Sequence, residues 1–350
     1  MGITASVVSL GFLTSNYPNI YRDGGGGGQV NGLNLIMFSD GMYTSGGVPN
    51  DNNLRNFTSN SIAVSGYQGA PIQAMTDFGT ADKGPKQQIP YFYNNGENDL
   101  ATGIWPNQNL VTLCDGHCAV SFPEVIARDP NHDGMSIASL YNTAVKIEVG
   151  AYGPVVTRPT MALFRAGEPL FGTFCALGGI DGYIYTFARI TESTPAANGL
   201  KLARVPWGGF ADRSQYRYWN GAAYVAQMPA YHDGGKSNVF NWTQEAFGKN
   251  FGPGYGEIFW SQVYQKYLLL FQSANAAGDN NVYASLSANL ESGWSTPQSI
   301  WKLPTFSDGY TYSFHAYPQY DPTSKVIPIT WNQFSESQSY RVGMANITFS

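Results

Sequence analysis

The chain has 350 residues, 43% hydrophobic and 15% aromatic, yet only 12% charged, roughly half the usual charged share. Its net charge of −5 comes with no basic block, which excludes a general nucleic-acid binder because nothing gathers cations against a phosphate backbone. No run reaches the roughly 18 apolar residues of a membrane span, and a chain so rich in aromatic residues is not intrinsically disordered.

The first residues, Met1 to Ser6, lack the basic and apolar regions of a signal peptide. Read literally they suggest the cytoplasm; the other reading is a removed signal with an added methionine. Three N-x-[ST] sequons, at Asn56, Asn241 and Asn346, favour a secreted glycoprotein. Of the three cysteines, Cys114 and Cys118 are close enough in sequence to bridge a tight loop, with Cys175 left as a buried thiol. Three reduced core cysteines are the alternative. The expected location is extracellular.

Strand signals recur and amphipathic helix patterns are scarce. The first strand, Leu33–Phe38, follows the glycine run 24–28 and ends at Ser39-Asp40-Gly41. Next comes a hairpin pattern, residues 182–188 and 199–205 about a polar loop. The same unit returns at 267–272 with 281–287, and again at 326–331 with 340–346. A hairpin repeated at such spacing predicts blades of four strands, about five of them in a closed ring. The competing architecture is a β-sandwich or stacked jelly rolls. The fold expected is therefore all-β, a five-bladed β-propeller forming one domain over residues 1–350. Its first and last segments, Ala5–Val8 and Ile347–Phe349, pair to close the ring.

Several stretches carry a family likeness. Tyr21-Arg22-Asp23 with its glycines, then Val30 to Asp40, resembles the opening of the proteins named domain of unknown function 4185. Phe57 to Ser61 is similar to that family's next landmark. Segments 181–185, 202–206 and 216–221 look like its central blade, 264–271 with 293–297 like the next, and 315–318 like the last. Ser39 stands where the family has glycine, and 101–150 matches least. The resemblance implies a five-bladed propeller related in shape to glycoside hydrolase families 43 and 32. Some members belong to glycoside hydrolase family 183 and cleave D-arabinan internally.

Glycoside hydrolysis needs two carboxyl groups, and the resemblance places acids at Asp23 and Asp40, which become the expected catalytic pair. The plain alternative is that both make Asp-Gly turns. Arg158 and Asn60 match family landmarks and are expected to bind sugar hydroxyls. His315 is assigned to a hydroxyl or to tuning a carboxylate, with a buried structural histidine as the other reading. Glu124, between apolar residues, is a channel-facing candidate or an edge-strand acid. Trp105, Trp207 and Trp260 are candidate stacking platforms. Glu257 and Asp181 carry no distinctive signal.

Metal and cofactor motifs fail. Residues 129–134 match half a calcium loop, but Leu140 stands where its closing glutamate belongs. Cys114, His117 and Cys118 are cramped for zinc, so a disulfide loop is preferred. The glycine run lacks the Lys-Ser/Thr of a phosphate loop. No metal and no cofactor are expected. The sequence thus points to a secreted, monomeric hydrolase of a furanoside polysaccharide, with internal cleavage of D-arabinan as what the resemblance implies, with polysaccharide or oligosaccharide as partner and neither nucleic acid nor membrane. A lectin-like propeller and a polysaccharide lyase are the alternatives.

Overall fold

The computed structural model describes residues 2–67, 74–106, 108–128, 137–179, 181–246, 249–274 and 279–350. Among them there is no α-helix, only strands and short 3-10 turns. Five sheets of four or more strands account for most of the chain.

Blade 1 runs outward from Gly27–Val30 through Leu33–Phe38, Ser61–Tyr67 and Ala74–Asp77. Blade 2 begins at Val111–Leu113 and continues through Cys118–Ser121 to the long hairpin Ile137–Gly150 and Gly153–Arg165. A two-stranded extension, Thr102–Trp105 with Glu124–Arg128, pairs onto that hairpin. Blade 3 starts at Cys175–Gly178 and passes through Tyr183–Ile190 and Gly199–Pro206 to Arg217–Trp219. Blade 4 comprises Pro253–Ser261, Lys266–Ser273, Asn281–Ser287 and Gln298–Lys302. Blade 5 comprises Tyr310–Ala316, Val326–Phe334, Arg341–Phe349 and, outermost, the N-terminal strand Ala5–Phe12.

Five hydrophobic clusters join these sheets in a cycle. Leu35 and Met37 of blade 1 pack with Ala119 and Val145 of blade 2. Phe164 and Phe171 meet Ile184 and Tyr218 of blade 3. Phe187 and Leu202 meet Leu269 and Phe271 of blade 4. Leu268 and Leu270 meet Ile329 and Trp331 of blade 5, and Val342 with Met344 returns to Ile36 and Phe38 of blade 1. Each sheet therefore touches the next, and the fifth touches the first. The arrangement is a five-bladed propeller.

This cycle explains why the central strands show little polar alternation. In Leu33–Phe38 the odd residues Leu35 and Met37 face blade 2, while Ile36 and Phe38 face blade 5. A strand buried on both faces reads as a continuous apolar run, because neither side meets water. The hairpins read from sequence are the second and third strands of blades 3, 4 and 5. The ring is closed as the sequence suggested, with Ala5 opposite Phe349, Ser6 opposite Thr348 and Val7 opposite Ile347. Cys114 and Cys118 are disulfide-bonded in the turn after the innermost strand of blade 2, and Cys175 is buried and free.

Closure makes the last strand a structural keystone. Met344, Ala345, Ile347 and Phe349 are fully buried, and each large apolar side chain contributes about 1.5–3 kcal/mol against a total stability of about 5–15 kcal/mol. Deleting residues 341–350 is expected to abolish the cooperative thermal transition of the whole chain. Differential scanning calorimetry checks this, and an unchanged melt would contradict ring closure.

Candidate active site

Asp23 precedes the innermost strand of blade 1, and Asp40 follows the second strand. Because those strands are antiparallel, both aspartates stand at the same end of the ring. Their backbones are tied directly, Asp23 N–H donating to Asp40 O at 2.8 Å.

The segment carrying Asp23 is fixed from beneath. Arg22 is buried, donates to Asp77 Oδ1 at 2.6 Å and stacks on Phe38 at 3.6 Å. Asn332 of blade 5 donates to Arg22 O at 3.2 Å, accepts from Gly24 N–H and donates to Asp23 Oδ1 at 2.9 Å. Tyr312 O–H donates to the same Asp23 oxygen. Among the described residues no bond engages Asp23 Oδ2, which leaves that oxygen for chemistry.

The glycine run serves close packing. A side chain at Gly25 would strike Met37 O, and one at Gly26 would strike Gln108 O. At Gly27 and Gly28 it would meet Tyr317 and Leu110. These glycines let the innermost strand lie against its neighbours.

Asp40 has another environment. Its Oδ1 accepts from Trp105 Nε1–H at 2.9 Å and from Arg128 Nη2, the latter an ion pair. Burial raises the Asp40 pKa, and Arg128 opposes that rise. Burial also raises Asp23, to about 7, with repulsion from Asp40 as the next cause and the Tyr312 and Asn332 bonds opposing. Asp40, paired with a cation, ionises first, so the penalty of a second negative charge falls on Asp23. Two carboxyl groups at one end of the channel are thereby driven apart in acidity.

Other groups surround them. The charge of Asp23 raises the pKa of the Tyr310, Tyr312 and Tyr340 phenols, with burial the larger cause in each, and Asp40 also acts on Tyr340. Tyr255 at the start of blade 4 is raised by burial and then by Asp23 and Glu124, against Arg189. Glu124 stands at the same end, across the strand pair from Trp105. Its Oε1 accepts from Ser139 O–H.

The structure brings Asp23, Asp40, Trp105 and Glu124 together and leaves the remaining candidates elsewhere. Trp105 acts by holding Asp40 through its indole N–H. Asn60 is a buried strut: its Oδ1 accepts from Gln88 N–H at 3.0 Å and Ile89 N–H at 2.8 Å. Arg158 corrects the expectation of a sugar ligand more firmly. Its guanidinium forks onto Glu97, with Nη2 to Oε1 at 2.7 Å, and also donates to Thr143, Pro90 and Met161. No donor remains for a hydroxyl. His315 is fully buried, with Nδ1 3.2 Å from Glu257 Oε1 and Nε2 3.2 Å from Ser313 Oγ. Burial lowers its pKa to about 3, so it is a neutral core histidine beyond the reach of substrate. Trp207 follows, and Trp260 lies at the C-terminal end of, a strand that ends at the opposite rim, where Trp207 Nε1–H donates to Tyr183 O.

Sequence reasoning missed Arg128, Tyr312, Asn332, Tyr255 and Tyr340. Tyr312 lies three residues before His315, and its place near the start of the innermost strand Tyr310–Ala316 was the available signal. Arg128, in a short extension strand, carried none. The half calcium loop at 129–134 lies outside the described residues. Among the described residues no group of three or more His, Cys, Asp or Glu is placed to hold a metal ion.

The fold is similar to that of a Bacteroides ovatus protein provisionally placed among the hydrolases, with 16% identity over 97% of this chain and 87% of that one, at a TM-score of 0.63. It is also similar to an exo-β-1,3-galactanase from Phanerochaete chrysosporium in complex with β-1,3-galactotriose. There the identity is 11%, the coverage 97% of this chain and 64% of that one, and the TM-score 0.51. At such identities the likeness establishes the β-propeller fold. No protein-family model and no curated protein matches the chain, so the likeness to domain of unknown function 4185 rests on its short motifs.

Two stability predictions follow from these environments. Asp23 binds its proton more tightly folded than unfolded, where an aspartate titrates near about 3.9. The folded state therefore loses stability as pH rises from about 4 to about 7, and no further above that. The melting temperature of Asp23→Asn should exceed the parent's by a margin that grows across this window, as read by thermal melts from pH 4 to 8. A margin independent of pH would contradict the raised pKa. Separately, Glu97→Ala leaves Arg158 buried without its counter-charge and should cost about 3–5 kcal/mol in urea denaturation.

Proposed function

We propose that the protein is a secreted glycoside hydrolase acting within a furanoside polysaccharide, with D-arabinan as the first candidate substrate. The observation that carries this reading is the Asp23–Asp40 pair. One carboxyl is pushed to about 7 by burial and by its neighbour's charge, and the other is held beside Arg128. That is the division of labour glycoside cleavage requires, a proton donor and an ionised carboxylate on one site.

In the proposed reaction, protonated Asp23 gives its proton through the unengaged Oδ2 to the glycosidic oxygen as the bond to the anomeric carbon breaks. Asp40, through the oxygen that Arg128 and Trp105 leave free, stabilises the positive charge developing on the sugar ring. A water oxygen then bonds the anomeric carbon, and its proton returns to the carboxyl pair. Tyr255, Tyr310 and Tyr340 provide aromatic surface around the reacting sugar, and Glu124 stands within reach of the same end. An exo-galactanase is built on the same fold, which supports a carbohydrate substrate. The choice of D-arabinan rests on the sequence resemblance, and secretion on the sequons and the Cys114–Cys118 disulfide.

The test is a panel of neutral polysaccharides, D-arabinan included, with analysis of released oligosaccharides. Asp23→Asn and Asp40→Asn should each lower kcat by about 10²–10⁴-fold, the usual worth of a positioned acid or base. For the parent, kcat/KM should fall above about pH 7 as Asp23 loses its proton. Retention of activity within about tenfold by both variants would reassign Asp23 and Asp40 as structural, and no cleavage of any glycan by the parent would reassign the propeller to binding alone.

A further inference from the structure

A groove of about 450 Å³ opens between the outer parts of blades 3 and 4. Three of the chain's eight tryptophans, Trp219, Trp242 and Trp294, are among the fifteen residues that line it. Fifteen residues drawn at random from this sequence would carry fewer than one, so the concentration calls for a cause.

Core packing is the ordinary cause, and it accounts for only part of what is seen. Each indole is braced by an aromatic ring: Trp219 by Tyr224 at 5.4 Å, Trp242 by Phe271 at 5.2 Å, and Trp294 by Phe240 at 6.2 Å. Yet all three remain only half-buried. They are rigid surfaces turned to an open cleft, and a rigid platform loses little entropy when a ligand arrives. The tryptophans with Phe240, Val239 and Pro297 supply the apolar share of the lining. Exposed Ser292 and Thr296 supply hydroxyls. Glu291 is oriented by Tyr224, whose O–H donates to its Oε1 at 2.7 Å, and no bond among the described residues engages Oε2.

The charge of the lining narrows the ligand. Glu291 and Lys236 are its charged residues and they cancel. A polyanion would find one lysine opposed by a carboxylate, and an apolar ligand would strand the hydroxyls and the carboxylate. A sugar chain satisfies both halves, laying its C–H faces on indoles and its hydroxyls on the polar rim. The volume falls within the range of small-molecule sites.

We propose that this groove is a second, non-catalytic carbohydrate site that holds a neutral glycan chain. None of the residues around Asp23 and Asp40 lines it, so the site stands whether or not the propeller hydrolyses its ligand. It gives the protein a grip on a polymer separate from the place where cleavage is proposed.

Affinity electrophoresis of the full chain tests it, using protein from a host that does not glycosylate Asn241. All samples carry Asp23→Asn so that turnover does not erode the gel. Arabinan, β-1,3-galactan and mixed-linkage β-glucan are the neutral probes, and polygalacturonate is the acidic one. At least one neutral glycan should retard the protein, and Trp294→Ala should weaken that retardation about tenfold, the loss expected of a buried aromatic anchor. Glu291→Gln, a rim change that leaves packing intact, should weaken it in the same direction. If Trp294→Ala melts early, Trp294→Phe and Glu291→Gln decide the matter. Retardation equal to the parent in these variants, no retardation by any neutral glycan, or stronger retardation by polygalacturonate would overturn the proposal. Failure of hydrolysis in the panel above would leave these outcomes unchanged, so the two readings fail separately.

Discussion

The arrangement depends on a close approach of backbones at the start of blade 1. Gly25 lies where a Cβ would overlap Met37 O, and Gly26 where it would overlap Gln108 O. Any other residue there would push the innermost strand away from its own sheet and from blade 2. Asp23 sits at the head of that strand, so its position, its bond to the Asp40 backbone and its clamp by Asn332 all inherit the constraint. Such contact between main chains is possible only where side chains are missing. The glycine run is therefore a packing device whose consequence is a precisely seated carboxyl group.

Ring closure then supplies the second requirement, removal of water. Asp23 takes its partners from blade 5, Asp40 takes Trp105 and Arg128 from the extension of blade 2, and Tyr255 arrives from blade 4. No single blade could desolvate these groups, because each offers only the end of one or two strands. The separation in acidity between two aspartates with the same side chain is a product of the whole ring. It depends on Arg128 being ion-paired with Asp40, whereas among the described residues no cation bonds to Asp23 and Arg128 acts on it only through space.

The architecture was legible in the sequence because its physics is local and repeated. Apolar runs such as Leu33–Phe38 and the one within 267–272, buried on both faces for most of their length, punctuated by turns and paired into hairpins, point to blades before any fold is known. Asp23 and Asp40 were legible through their turn positions and through likeness to a family. The ligands of those aspartates were not, since Arg128, Tyr312 and Asn332 come from positions 88 to 309 residues away. Arg158 and His315 misled for a related reason. A buried arginine satisfied by Glu97 and a neutral histidine beside Glu257 look the same, in sequence, as residues waiting for a ligand. Only the partner tells them apart. The tryptophans of the outer groove were hidden likewise, because Trp219, Trp242 and Trp294 are separated in sequence and meet only across two blades.

The central claim is that Asp23 keeps its proton near neutrality because it is buried beside an already ionised Asp40. Carboxyl-carbon NMR titration of the parent and of Asp40→Asn measures this directly. Asp23 should titrate near 7 in the parent and at lower pH once Asp40 is neutralised, since removing the neighbouring charge lightens the cost of ionisation. An Asp23 that titrates close to about 4, the value of a solvated aspartate, or one that ignores the loss of Asp40, would contradict the account.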